Sequence, residues 1–324
     1  MLWNNFLKIV IFCVLIFATL VLGQQKSLTL RHEKFLIHYK LPDEKFAIQL
    51  SATLEKYLPY FRQFYEDESH TIAEIIIAAN PAEFRALFSG QLPEWTGAFY
   101  ISPKNTIILK SLRWSQPQPN IERDFLHELS HLFFNAKFDS EKIPLWYNEG
   151  LAEFLSGSRI GIQRGKTLSN AILAKTLVPL AEIDSLPYFS KRRAELAYTQ
   201  SLSAVLMIKS SMGSIEKWQK FHRDLVNEQW SNAFIKYVGM DEVDFEIAWY
   251  KEVEKKYRWF FVFNLENLIW VFLILILAST MFFVRFRNRK KLKEWELEED
   301  RIDAQRVSYL PGQLNTLKDD SEKG

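Results

Sequence analysis

His127, Glu128 and His131 stand in H-E-x-x-H order within Phe125-Leu126-His127-Glu128-Leu129-Ser130-His131-Leu132-Phe133-Phe134. At 3.6 residues per turn, the two histidines lie one turn apart on one helical face. Two imidazoles so placed can hold one Zn²⁺ at about 2.0–2.1 Å each. Glu128, next to the first histidine, can reach a water held by such an ion and serve as its base. The apolar neighbours Phe125, Leu126, Leu129, Leu132 and Phe133 would seat the helix in a core. The same letters also fit a buried helix whose two histidines are merely hydrogen-bonded.

A catalytic zinc takes three protein ligands and keeps a fourth position for water. A candidate third ligand, Glu149, lies in Pro144-Leu145-Trp146-Tyr147-Asn148-Glu149-Gly150-Leu151-Ala152-Glu153-Phe154. The chain between His131 and Glu149 is long enough for a turn and a second helix packed on the first. Glu153 follows Glu149 by one helical turn and shares its face.

H-E-x-x-H followed by Trp146, Asn148-Glu149-Gly150 and Ala152 resembles the gluzincin metallopeptidases, in particular the small peptidase MA-like domains. It is also similar to the zinc aminopeptidases of the leukotriene-hydrolase type, although the stretch 132–148 is one residue shorter than theirs. The resemblance implies that Glu149 is the third zinc ligand. An acid four residues after that ligand, as in thermolysin-like enzymes, implies that Glu153 orients a ligating histidine through its other N–H. An exposed helix acid is the alternative at Glu153.

Two further stretches extend the resemblance. Ala194-Glu195-Leu196-Ala197-Tyr198-Thr199-Gln200-Ser201 resembles the A-Y-x-Q-S segment of peptidase MA-like proteins. By that likeness Tyr198 donates its hydroxyl to an oxyanion, unless it is simply a core tyrosine on an amphipathic helix. A strand ahead of the zinc helix in gluzincins pairs with substrate backbone, and the likeness assigns this substrate-binding part to Gly97, Ala98, Phe99 and Tyr100 or to residues 106–109. Where the aminopeptidases carry G-x-M-E-N, this chain reads Gly97-Ala98-Phe99-Tyr100-Ile101. The glutamate that would hold a free amine is missing, which favours cleavage within a polypeptide.

The elements that must position these residues follow from periodicity. Residues 27–30 and 35–39 read as a strand pair, and residues 74–79 as a buried strand. Residues 43–65 carry Phe46, Leu50, Leu54, Leu58 and Phe61 at helical spacing. Pro81 opens a short helix stopped by Gly90, and residues 97–100 and 106–110 form a hairpin. Asn120 can cap the zinc helix, which runs to about Lys137. Residues 156–166 read as a loop that could rim the cleft, and the pattern from Ser214 to Trp259 is helical, with Asp241 as a cap. His222, between charged neighbours, reads as solvated; His32, His38 and His70 lack partners at metal-ligand spacing.

The 324 residues carry a formal net charge of +2, which gives no reason to expect nucleic acid as a partner. The single cysteine, Cys13, lies in an N-terminal apolar run and leaves the folded domain no thiol chemistry. Residues 1–23 resemble a signal peptide or signal anchor, cleavage being favoured. Residues 266–286 are apolar enough to span a bilayer, and Arg285, Arg287, Arg289, Lys290, Lys291 and Lys293 put the following side in the cytoplasm. The tail, 287–324, reads as helical near residues 294–306 and otherwise disordered.

The expected architecture is α+β: a small mixed N-terminal sheet with helices (24–115), a mainly helical zinc-peptidase part (116–260) and one C-terminal transmembrane helix. The expected function is a single-pass, cell-membrane zinc metallopeptidase that acts on polypeptides outside the cytoplasm. A catalytically inactive, membrane-tethered peptide- or protein-binding module of the same fold is the alternative.

Overall fold

The computed structural model describes residues 27–66, 72–88, 96–114, 121–263 and 265–319. The expected leader, His70, the helix stop at Gly90 and the cap at Asn120 lie outside them. The described residues divide after Phe260 into two compact units.

In the first unit, β1 (Ser27–His32) and β2 (Phe35–Lys40) pair antiparallel around a two-residue turn in which Glu33 adopts a left-handed φ of 49°. Helix α1 (Glu44–Tyr65) buries Phe46, Leu50, Leu54, Leu58, Phe61 and Tyr65, one stripe at three- and four-residue spacing, and packs on β1 and β2. It returns the chain to β3 (Ala73–Ala78), parallel to β2. Helix α2 (Pro81–Ala86) starts with proline in its first turn, and the Asn80 side chain accepts from Glu83 N at 2.9 Å. Strands β4 (Ala98–Ile101) and β5 (Thr106–Lys110) complete a mixed sheet in the order β1-β2-β3-β5-β4, with β4 at one edge. The period of two sends Ile107 and Leu109 into the main core, whereas Ile108 joins Ala78, Phe84 and Phe99 on the other face.

The rest of this unit is helical: α3 (Ile121–Lys137), α4 (Leu145–Leu155), α5 (Ile162–Ala174), α6 (Lys191–Met212), α7 (Ile215–Asp224), α8 (Trp230–Val238) and α9 (Glu242–Tyr257). Helix α3 lies against α1, β4 and β5, and its Phe125, Leu129 and Phe134 are wholly enclosed. Each such side chain stabilises the fold by about 1.5–3 kcal/mol relative to exposure. Helix α4 is held between α3 and α6. It crosses α6 closely at Gly150, where a Cβ would meet the Ser201 carbonyl oxygen at 2.3 Å. Only glycine fits that crossing.

Two expectations about this unit need correction. Residues 156–166 are not all loop, because α5 begins at Ile162. The glycine that suggested a loop, Gly165, is a packing position whose Cβ would lie 2.1 Å from the Phe260 ring. His222 is not solvated but 3 % exposed, since α7 turns Trp218, Phe221 and His222 inward together. Asp241, as expected, caps α9, accepting from Asp244 N at 2.8 Å.

The second unit is one helix, α10 (Leu265–Asp319). Within it Leu268–Arg306 is long and apolar enough to cross a membrane, and its apolar window is not buried by this chain. The helix does not break up beyond the apolar stretch as expected; the Glu-, Lys- and Arg-rich residues after it are strong helix formers and carry it onward.

Candidate metal and catalytic site

Helix α3 presents His127 and His131 one turn apart with their Nε2 atoms 3.1 Å from each other. Helix α4 brings Glu149 Oε2 to 3.2 Å from His127 Nε2 and 3.5 Å from His131 Nε2. Three ligand atoms therefore converge within 4.8 Å, the only such His/Cys/Asp/Glu group among the described residues. Glu149 Oε2 is buried, and apart from the two imidazoles no donor reaches it. A buried carboxylate oxygen with so few partners is costly unless a cation completes it. Two imidazole nitrogens and one carboxylate oxygen fit a Zn²⁺ with an open fourth position.

The charges lean the same way. Burial opposes protonation of His127, but hydrogen bonding and charge from Glu149, with Glu128 and Glu153, prevail and hold its imidazole up at about 9. Burial works upward on Glu149, yet the His131 and His127 charges bring its carboxyl down to about 2. The pocket thus favours positive charge next to Glu149, as a cation site must.

Both ring Nδ1 atoms face a partner. His131 Nδ1 lies 3.0 Å from Asn148 Oδ1, a bond that makes Nδ1 the donor and leaves Nε2 its lone pair. His127 Nδ1 lies 3.8 Å from Glu153 Oε1, and Glu153 Oε2 pairs with Arg164 Nη2 at 2.7 Å. Glu153 is 8 % exposed, so it is not a surface acid. Asn148 sits in the N-E-G run, and its place one residue before Glu149 was the available signal. Arg164 was hidden in the stretch read as loop. Asp124, three residues before His127, also faces the cleft and is pushed up chiefly by burial; its helical spacing marked it.

Glu128 and Tyr198 line the same cleft of about 660 Å³. Burial, partly offset by the two histidines, pushes the Glu128 carboxyl upward. The Tyr198 ring stands nearly perpendicular to that of His127, at 5.7 Å between centroids. Burial, then the charges of Glu149, Glu128 and Glu153, raise the Tyr198 phenol well above its ordinary value, so it stays a donor. Gly97, Ala98, Phe99 and Tyr100 also line the cleft. β4 pairs with β5 on one side only, and no strand among the described residues pairs with its outer edge. Leu145, Leu186 and Pro187 add apolar surface to the cleft.

His127, Glu128, His131, Glu149, Glu153, Tyr198 and residues 97–100 are thus brought to one cleft, whereas residues 106–109 lie one strand back from the edge. A family model described as Peptidase MA superfamily matches residues 74–255, from β3 through most of α9. No curated protein matches the chain.

Proposed function

We propose, from the premise that this chain belongs to the Peptidase MA superfamily, that it is a membrane-anchored zinc metallopeptidase cleaving polypeptides outside the cytoplasm. The observation that carries this reading is the convergence of His127 Nε2, His131 Nε2 and Glu149 Oε2 on one point beside Glu128. Those three atoms would hold the ion, with Asn148 and Glu153 orienting the two rings. When bound, zinc supplies a Lewis acid that polarises the scissile carbonyl and lowers the pKa of water.

The residues of the chain do the rest. An extended substrate adds to the free edge of β4 as a further strand, with its backbone hydrogen-bonded near residues 97–100. Glu128 takes the proton of the attacking water and passes it to the leaving amine. Burial favours that role, because a carboxyl raised toward neutrality can both accept and return a proton. Tyr198 donates its hydroxyl to the oxyanion as negative charge develops there. The missing amine-binding glutamate at residues 97–101 supports endopeptidase rather than aminopeptidase cleavage.

The basic cluster that starts at Arg285 supports a cytoplasmic C-terminal side and a catalytic unit on the other face of the membrane. The test is metal analysis with peptide digestion on the purified full chain in detergent. The reading expects about one zinc per chain, hydrolysis of unstructured polypeptides, and Glu128→Gln protein that keeps the metal and loses turnover. Wild-type turnover in Glu128→Gln would refute it.

A further inference from the structure

The two histidine rings at the metal site are backed in unequal ways. His131 Nδ1 meets Asn148, a neutral amide, at 3.0 Å. His127 Nδ1 faces Glu153, a buried carboxylate whose Oε1 is 3.8 Å away. An amide can be buried once its hydrogen bonds are made; a carboxylate also needs an opposite charge. Among the described residues, Arg164 supplies that charge from outside the metal site, with its Nη2 2.7 Å from Glu153 Oε2. At 3.8 Å, Glu153 is too far from His127 for a hydrogen bond to fix its orientation. The arginine is therefore the contact that sets which way Glu153 points.

A second observation is independent of that pair. Arg164 Nη1 is enclosed, and no acceptor reaches it among the described residues. A buried donor without a partner is costly and rare. The fold tolerates it at a position that is anchored well beyond Glu153. Arg164 lies in the first turn of α5, and α5 packs on α6 and α9. Ser169 Oγ, on the same helix, donates to the Arg258 carbonyl at 2.8 Å, and the Phe260 ring fills the space where Gly165 lacks a Cβ. The guanidinium is thus fixed by its own helix as well as by Glu153. With Nη1 closed off, its effect is directed to Glu153 rather than to a ligand in the cleft.

We propose that Arg164 is a positioning residue for the metal site: it holds Glu153 turned toward His127 Nδ1, which keeps His127 Nε2 aimed at the point shared with His131 and Glu149. The inference rests on the zinc reading above. It adds a third helix, α5, to a site whose ligands come from α3 and α4.

The experiment titrates the full chain in detergent with zinc against a chelator, as wild type, Arg164→Met, Glu153→Gln and the double variant. Arg164→Met should bind zinc about tenfold more weakly, the lower end of the range for groups that back a ligating histidine. In the Glu153→Gln background the same substitution should change affinity by less than about twofold, because its effect runs through that carboxylate. Arg164→Lys, which keeps a charge within reach of Glu153, should recover most of the loss. With zinc saturating, Arg164→Met should lower kcat and leave the peptide KM within about twofold. Arg164→Ala gives the same comparison should Arg164→Met not fold. Unchanged zinc affinity in Arg164→Met would overturn the inference. So would a loss of equal size in both backgrounds, or a rise in KM with kcat and zinc affinity unchanged. A wild-type chain that takes up no zinc would instead bring down the metallopeptidase reading.

Discussion

The first unit encloses histidine in two different ways. His127 and His131 stand among carboxylates, with Glu128, Glu149 and Glu153 around them, and His127 is held up at about 9. His222 is enclosed by Phe64, Tyr147, Trp218 and Phe221, and burial, aided by the charge of Lys137, takes it down to about 3. Its Nε2 lies 2.7 Å from the Tyr147 hydroxyl, to which Trp218 Nε1 donates at 3.4 Å, so the neutral imidazole accepts from the phenol. Burial is common to all three rings and decides nothing. The neighbours decide: acids prepare a place for a cation, and aromatics make a neutral strut under α4.

The contrast can be broken at its acid end first. Glu128→Gln removes the base and leaves the three ligand atoms alone, so turnover should fall by about a thousandfold or more with zinc retained. Paired measurement of kcat and metal content checks this.

The two environments should also give the metal-free protein opposite pH limbs. His222 has a folded pKa of about 3, below its unfolded value of about 6.5. Its contribution is complete above 6.5 and is lost as pH falls toward 3. His127 is raised to about 9, so its contribution is complete below 6.5 and is lost as pH rises toward 9. Each limb slopes by about 1.4 kcal/mol per pH unit, and a few kcal/mol are at stake in all. Metal-free protein should therefore be most stable near pH 6.5 in denaturant titrations. Zinc should erase the alkaline limb, because a ligating histidine is neutral, and leave the acid limb in place.

Smaller effects sharpen the comparison. Asn148→Ala removes the acceptor at His131 Nδ1 and should weaken zinc affinity by about 10–100-fold, measured by competition with a chelator. His222→Leu leaves the Tyr147 hydroxyl without its main partner, which should cost about 1–3 kcal/mol of stability and abolish the acid limb while zinc content is unchanged.

How much of this was legible depends on how local each feature is. His127 and His131 are related by one helical turn, and spacing alone puts them on one face. The β4–β5 hairpin likewise shows in its own alternation and turn. The meeting of Glu149 with the histidines is not local. It depends on where α4 crosses α3 and α6, and that crossing turns on the absence of a Cβ at Gly150 against Ser201. Resemblance pointed to Glu149; spacing could not. His222 was misread because Lys220, Arg223 and Asp224 flank it, although Trp218, Phe221 and His222 already sit at i, i+3 and i+4. Arg164 and the start of α5 were obscured by Gly165, which serves packing rather than turning.

The account rests on three atoms sharing one cation, and equilibrium zinc titration of the full chain beside its Glu149→Ala variant tests that most directly. The account predicts one zinc per wild-type chain that survives gel filtration, and an affinity lower by about a hundredfold or more in the variant. A wild-type chain that takes up no zinc, or a variant that binds it equally well, would contradict it.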